Sequence, residues 1–279
     1  MDGILCINKP ANMTSFDVCA QIRRKFHCKV GHTGTLDPMA TGVMMITLGK
    51  STKLVQYLTH ARKTYQAVCR LGVKTNTGDI WGEVTERGPI PELMEGSIEP
   101  VLASFLGKSM QQPPMISAIK IDGKKLYEYA RKNQTIDVPM RPIEVFSIKL
   151  DGIRENELVF TIEVSAGTYI RTICEDIGVR MNTVATLSGL ERLAIEDITI
   201  NQTMELDEVL GTSDLMFVDP LIALKKYRQI TVEDPTFIYH GKKVDLPFQD
   251  DKILFVFNNE PLAFYKKEDN LYRSERGLW

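Results

Sequence analysis

Apolar positions along this chain fall into short blocks whose period switches between that of a strand and that of a helix. Gly3 to Asn8 is a nearly continuous apolar run stopped by Lys9-Pro10, the pattern of a short buried strand. Thr14-Ser15-Phe16-Asp17 reads as a capping box with Asp where Glu or Gln is usual, and Val18, Ile22 and Phe26 recur behind it at helical spacing. Gly31 to Gly42 has neither period and is rich in Gly, Thr, Asp and Pro, so an ordered loop is expected there. Val43 to Leu48 is expected as a strand, Ser51 to Leu58 as a helix and Thr64 to Val73 as a strand. Pro89 to Pro91 marks a loop ahead of a helix near Ile98 to Phe105, followed by a short strand at Ser117 to Ile121 and a helix at Lys124 to Lys132. Ile143 to Ile153 and Leu158 to Val164 read as strands joined through the polar turn Arg154-Glu155-Asn156-Glu157. Ile170, Ile173, Cys174 and Ile177 then fall at i, i+3, i+4 and i+7, one face of an amphipathic helix.

After Pro220 the texture changes. Residues 229–279 are short apolar runs such as Ile253-Leu254-Phe255-Val256-Phe257, broken by Asn258-Asn259 and Asp269-Asn270, which is the signature of a small β-rich module. The boundary is placed at Tyr227, giving domains at 1–227 and 228–279. Strands and helices mix without a regular βαβ rhythm, so the fold class is α+β, with a mixed, largely antiparallel central sheet flanked by helices rather than a doubly wound parallel sheet.

Length and composition are those of an ordinary globular protein: 279 residues, 43% hydrophobic and 25% charged. No apolar run approaches the roughly 18 residues of a membrane span, and Met1-Asp2-Gly3-Ile4 has no basic segment before an apolar stretch, so a cleaved secretory signal is not expected. The five cysteines, Cys6, Cys19, Cys28, Cys69 and Cys174, are odd in number and contain no Cys-x-x-Cys pair; a disulfide framework and a structural zinc site are not expected, and free thiols suit a reducing cytoplasm. The net charge of -2 argues against a polyanionic partner, but its distribution argues for one: residues 1–80 hold 11 Lys and Arg against 4 Asp and Glu. A basic N-terminal third supplies a local anion-binding face, or a merely solvated surface; charge alone does not separate the two.

Several motifs are excluded by position. Gly49-Lys50-Ser51 is not a phosphate loop, because Met44 stands where that motif needs its first glycine. There is no Gly-x-Gly-x-x-Gly opening a helix, no His-Glu-x-x-His and no Gly-x-Ser-x-Gly, and the four histidines are scattered. The densest unusual segment is Gly31-His32-Thr33-Gly34-Thr35-Leu36-Asp37-Pro38-Met39-Ala40-Thr41-Gly42. Pro38 holds the Asp37 backbone out of the helical region, and Gly34 and Gly42 permit turns that other residues resist, so the loop can present one carboxylate in a fixed pose. From the residues alone, an Asp capping its own backbone in a tight loop is the favoured reading.

That segment resembles the catalytic motif of the TruB family of pseudouridine synthases, Gly-His-x-Gly-x-Leu-Asp-Pro-x-Ala-x-Gly, with Gly31, His32, Gly34, Leu36, Asp37, Pro38, Ala40 and Gly42 all in place. Further blocks resemble the family in order over residues 3 to about 195: Gly3-Ile4-Leu5 to Lys9-Pro10 with Thr14-Ser15, Lys63-Thr64-Tyr65 with Leu71-Gly72, and Thr75 to Asp79 with Gly82. They continue with Pro113-Pro114, Ser117-Ala118 and Lys120, Gly123 to Arg131, and Gly167-Thr168-Tyr169-Ile170-Arg171. The tail loosely resembles a PUA-type RNA-binding domain.

The resemblance implies isomerisation of uridine-55 in the TΨC loop of tRNA to pseudouridine. The N1–C1′ bond breaks, the uracil turns, and it rejoins through C5; no cofactor and no metal are implied. Asp37 is then the essential carboxylate, as nucleophile or as base, and Arg171 the guanidinium that keeps it ionised. Tyr65 is the platform for a base flipped out of the loop, His32 braces the space it leaves, Tyr169 packs under the pocket and Leu190 seals it. Lys9 and Lys120, with Arg23 and Arg24 behind them, are the expected phosphate contacts. The partner implied is the tRNA T arm, with neither guide RNA nor protein partner, the chain acting as a cytoplasmic monomer. Three rivals stand beside this reading: a non-catalytic tRNA-binding protein, a nucleoside hydrolase using Asp37, and a guide-dependent synthase.

Overall fold

A computed structural model describes residues 1–132, 134 and 136–279. Its centre is an eleven-stranded mixed sheet whose main path runs Met204–Glu205, Gly3–Lys9, Thr41–Leu48, Ala185–Ile195, Lys63–Leu71, Glu157–Val164, Arg141–Arg154, Gly107–Gln111. Along that path the pairs are antiparallel except where Met204–Glu205 joins Gly3–Lys9 and where Ala185–Ile195 joins Thr41–Leu48. The α+β reading with a mixed, largely antiparallel sheet is therefore what the chain adopts.

Local chemistry explains the elements that position the site. The Ser15–Phe26 helix starts at Thr14, whose hydroxyl accepts from the Asp17 amide at 3.1 Å while the Asp17 carboxylate accepts from the Thr14 amide at 3.1 Å. This reciprocal cap is the one its sequence announces. Val18, Cys19 and Ile22 bury its inner face against Leu5, Ile7, Met44 and Ile46. On the Lys63–Leu71 strand every second residue is buried, from Lys63 through Tyr65, Ala67 and Cys69 to Leu71. That face packs against Ile170, Ile173, Cys174 and Ile177 of the Ile170–Arg180 helix, the four residues spaced for it.

Elsewhere the structure corrects the sequence reading. Ala185–Ile195, a strand in the middle of the sheet, was not anticipated, because Ser188-Gly189-Leu190-Glu191 interrupts the alternation. Register shifts between Leu187 and Gly189 and between Arg192 and Ala194 are the structural form of that interruption. The edge strand Gly107–Gln111 also went unpredicted. Ser51 to Leu58 is a 3-10 segment, Gly49–Leu54, followed by one α turn, Val55–Leu58. The Thr64 to Val73 strand breaks at Gly72, whose φ of 81° turns the chain from Lys63–Leu71 into Val73–Thr75. The helix expected over Lys124 to Lys132 is the shorter Leu126–Ala130, preceded by a hairpin of Lys120–Ile121 and Lys124–Lys125.

The C-terminal four-stranded sheet runs Arg228–Thr231, Lys252–Phe257, Glu260–Glu268, Leu271–Gly277. Ile253-Leu254-Phe255-Val256 is apolar at every position because both faces of its strand are covered. Ile253 and Phe255 pack with Ile238, Tyr265 and Tyr272. Leu254 and Val256 join Phe264 and Leu278 against Ile4, Cys6, Val43 and Met45 of the central sheet. The Phe264 ring stacks on Tyr57 with centroids 3.5 Å apart.

Candidate active site

The Gly31 to Gly42 segment is an ordered loop with both ends built into the sheet. Val30–His32 pairs with Thr41–Leu48, placing His32 opposite Ile46, so only residues 33–40 leave the ladder. Their backbone is tied down at almost every step. The Thr33 amide donates to Met45 O at 3.2 Å, and the Leu36 amide to the Ser15 hydroxyl at 2.8 Å, which donates back to Leu36 O. The Ala40 amide donates to Asp37 O at 3.0 Å, closing a turn with Pro38 at its first central position. Asp37 thus sits at the first corner of a fixed turn.

Its carboxylate meets Arg171. The Arg171 Nη2 donates to Asp37 Oδ1 at 3.2 Å, and Nε lies 2.9 Å from Oδ2 as an ion-pair contact without a well-directed hydrogen bond. The same guanidinium donates from Nη1 to Thr77 O at 2.8 Å and from Nη2 to Ile116 O at 2.9 Å. One planar fork therefore joins the Asp37 loop, the Thr75–Asp79 turn and the Pro113–Ser117 segment, a task a single ammonium could not perform. Arg171 is 3% exposed and Asp37 32%, so the cation is buried and the anion faces outward. Burial is the largest influence on the Asp37 carboxyl and pushes it above the ordinary carboxylate range, with Asp79 adding to the rise; Arg171 and Lys9 pull it back.

Asp37 opens onto a pocket of about 250 Å³. Tyr65, buried on its strand, forms one side; Tyr169, Gly167 and Leu190 form others. Tyr169 sits just ahead of the helix that carries Arg171, and burial pushes its phenol up, so it stays protonated at neutral pH. The structure therefore brings Asp37, Tyr65, Arg171, Tyr169 and Leu190 around one cavity. His32 is near but does not line it. Its Nδ1 is buried without a partner, and burial together with the Arg192 charge pushes the imidazole down, keeping it neutral.

Lys9 is not where a phosphate contact must be. It is 0% exposed, and its ammonium donates to Pro10 O at 2.7 Å, Met13 O at 2.6 Å and Pro38 O at 3.3 Å. With three donors engaged and no surface, Lys9 is a strut under the Asp37 turn, and burial lowers its pKa to about 8. Lys120 is exposed, on the small hairpin that follows Ile116. Arg23 lines an open depression with His27 and Lys29 at the far end of the Val30–His32 strand, and Arg24 is exposed beside it.

Sequence reasoning missed three residues. Lys63 lines the pocket, buried, its ammonium donating to Ala61 O at 2.7 Å and Thr59 O at 3.3 Å. Gln111 clamps the Tyr169 backbone, accepting from its amide at 2.8 Å and donating to its carbonyl at 3.1 Å. Tyr169 provides no side-chain cap for its helix, so this pair of bonds fixes the helix start. Arg192 lies fully buried between the pocket and the loop. An alternating strand pattern alone marks none of the three. Among the described residues no group of three or more His, Cys, Asp or Glu could hold a metal ion, and no helix is long and apolar enough to cross a membrane.

Comparison with known proteins adds an independent line. Residues 23–170 match the TruB family pseudouridylate synthase N-terminal domain. The tRNA pseudouridine synthase B of Oenococcus oeni is 39% identical over 99% of this chain and 98% of its own length, and that of Mesoplasma florum is 36% identical over 99% and 97%. Among solved structures, a chain of a Cbf5-Nop10-Gar1 complex superimposes with a TM-score of 0.76 at 22% identity, covering 99% of this chain and 85% of that one; at that identity the likeness speaks for the fold.

Proposed function

The chain belongs to the TruB family of pseudouridylate synthases, and from that premise we propose that it isomerises uridine-55 of the tRNA T loop by itself, with Asp37 as the reacting carboxylate. The observation that carries the assignment of Asp37 is its ion pair with buried Arg171 at the mouth of a pocket lined by Tyr65 and Leu190.

The chemistry follows from that geometry. A uridine within a folded loop must leave the stack to reach the pocket. A cavity of about 250 Å³ accommodates one base, with Tyr65 offering a ring face and Leu190 an apolar wall. The ionised Asp37 carboxylate begins cleavage of the N1–C1′ bond, as nucleophile or as base. Arg171 is the largest influence favouring the ionised form against the rise that burial imposes. The freed uracil turns within the pocket and C5 bonds to C1′; the bond a nucleophilic Asp37 has made to C1′ breaks, or the sugar proton a basic Asp37 has taken returns, and the C5 proton departs as N1 gains one, so atoms balance without any external group. Tyr169 and Gln111 hold the segment that delivers Arg171.

The substrate is tRNA, recognised through its T arm in the cytoplasm, with no guide RNA or partner protein. Exposed Lys120, Arg23 and Arg24 contact its phosphates. Residues 228–279 form a PUA-like unit that extends the RNA-binding face, beginning at the Arg228–Thr231 strand.

Purified protein is incubated with unmodified T-arm RNA carrying C5-tritiated uridine, with no guide or cofactor. Tritium release stoichiometric with one T-loop uridine, abolished in Asp37→Asn while RNA affinity persists, is expected. Free uracil would indicate a hydrolase. Tight binding without release would indicate a binding protein or a missing guide.

A further inference from the structure

Arg192 is 0% exposed and among the largest fully buried side chains of the molecule, yet among the described residues no carboxylate pairs with it. A buried charge without a counter-charge is costly to keep and calls for a geometric reason. Its donors supply one. Nε donates to Val43 O at 2.6 Å, Nη2 to Gly34 O at 3.2 Å and Nη1 to Thr35 O at 3.4 Å. Val43 is the third residue of the strand that follows the Asp37 loop, and Gly34 and Thr35 lie in the outgoing part of the loop itself. The guanidinium is thus a bridge from rigid sheet to the outgoing half of the loop.

The backbone of the same residue fixes the returning half. Arg192 stands opposite Gly42 in the parallel ladder. Gly42 has φ 103°, and a Cβ there would overlap the Arg192 carbonyl oxygen and lie 2.6 Å from its nitrogen. The close approach that glycine permits presses the end of the loop onto Arg192. On its other side Arg192 pairs with Tyr65, and the register shift between Arg192 and Ala194 marks a bulge at this point, a device that re-aims a side chain. One residue therefore touches both ends of the segment that carries Asp37, and neighbours the tyrosine of the pocket.

We infer that Arg192 is a positioning residue for the isomerisation, a clamp that sets the pose of the Asp37 turn from behind while Arg171 holds the carboxylate from in front. The inference rests on the proposed role of Asp37. Arg192 touches no reacting atom; it decides where the carboxylate stands relative to the ribose. Lysine cannot substitute. Its ammonium radiates from a single atom and cannot span Val43 O and the Gly34–Thr35 pair together.

The test compares wild type, Arg192→Lys and Arg192→Gln, all full-length, by single-turnover tritium release and RNA binding across pH. Displacement of a catalytic group by about 1 Å costs on the order of a hundredfold in rate, so Arg192→Lys is expected to lose at least about tenfold in the chemical step while RNA affinity stays within about twofold. The acid limb of the pH profile is the second readout. The groups facing Asp37 are Arg171 from the Ile170–Arg180 helix, Asp79 from the turn after Val73–Thr75, and Lys9 from the first strand. A slackened turn moves the carboxylate off Arg171, and the acid limb rises to higher pH.

A folded Arg192→Lys with wild-type rate and profile overturns the inference. So does a fall in amplitude alone with rate and profile unmoved, since that reports lost folded protein. If neither variant folds, hydrogen exchange of wild type decides. The clamp requires the Thr33 and Leu36 amides to be protected as well as the Thr41–Leu48 strand; rapid exchange at those two amides overturns it. A wild type that releases no tritium instead removes the reading of Asp37 on which the clamp depends, and leaves the exchange result to judge the clamp.

Discussion

Replacing Arg171 with lysine keeps a cation in the site and removes its shape. The guanidinium makes two contacts with the Asp37 carboxylate, at 2.9 and 3.2 Å, and two more with Thr77 O and Ile116 O. A lysine ammonium at the end of a different stem can satisfy at most part of that set. An adjacent guanidinium favours an ionised carboxylate by about 1–4 kcal/mol, the equivalent of lowering its pKa by roughly 1–3. Breaking a buried pair costs about 3–5 kcal/mol, but Asp37 is about a third exposed and water recovers part of that, so about 2–4 kcal/mol is the appropriate range. At about 1.4 kcal/mol per factor of ten, the chemical step at pH 7 should slow by about 30- to 1,000-fold. The sign of the pH effect is fixed by the same contact. Burial already raises the Asp37 carboxyl and Arg171 is the largest influence lowering it, so loss of the fork raises it further and moves the acid limb to higher pH. Single-turnover tritium release from T-arm RNA between pH 5 and pH 9 measures both, with circular dichroism and RNA affinity as controls. A folded Arg171→Lys protein with unchanged rate and unchanged acid limb would refute the argument that Arg171 sets the state of Asp37.

Three further outcomes are expected. Gln111→Ala leaves the half-buried Tyr169 amide without its partner and the Tyr169 carbonyl with the Ile173 amide alone, and should lower stability in urea unfolding by about 1–2 kcal/mol; an unchanged midpoint would show that another group caps the helix. Burial holds the Lys63 ammonium down to about 8, so the folded chain gives up that proton before the unfolded chain does, and between about pH 8 and the ordinary lysine value wild type should gain stability relative to Lys63→Met; a pH-independent difference would show Lys63 to be unstrained. Ending the chain after Tyr227 uncovers Tyr57 and Leu54 along with Ile4 and Met45, and at about 1.5–3 kcal/mol for each large apolar side chain the loss from the first two alone is about 3–6 kcal/mol. Thermal unfolding should show a lower Tm for the shortened chain, and an unaltered Tm would mean that the C-terminal module contributes little to that core.

The sequence by itself determined those features whose cause is local. The capping box at Thr14, the strand alternation from Lys63 to Leu71 and the helical face of Ile170, Ile173, Cys174 and Ile177 are written in neighbouring residues, and all stand where their spacing places them. Asp37 and Arg171 were legible only through resemblance, because their significance lies in a contact across 134 positions. Tertiary structure alone decided the rest. Lys9 has the composition of a phosphate ligand, but the Pro38 turn closes over it and makes it a strut. Ile253 to Val256 lacks alternation because a second core lies across its outer face. The Ala185–Ile195 strand is hidden by bulges whose purpose is visible only once Arg192 is seen reaching Val43, Gly34 and Thr35. Period and capping are properties of a few consecutive residues, whereas burial of a charge, and the backbone carbonyls that make it tolerable, exist only after distant segments have met.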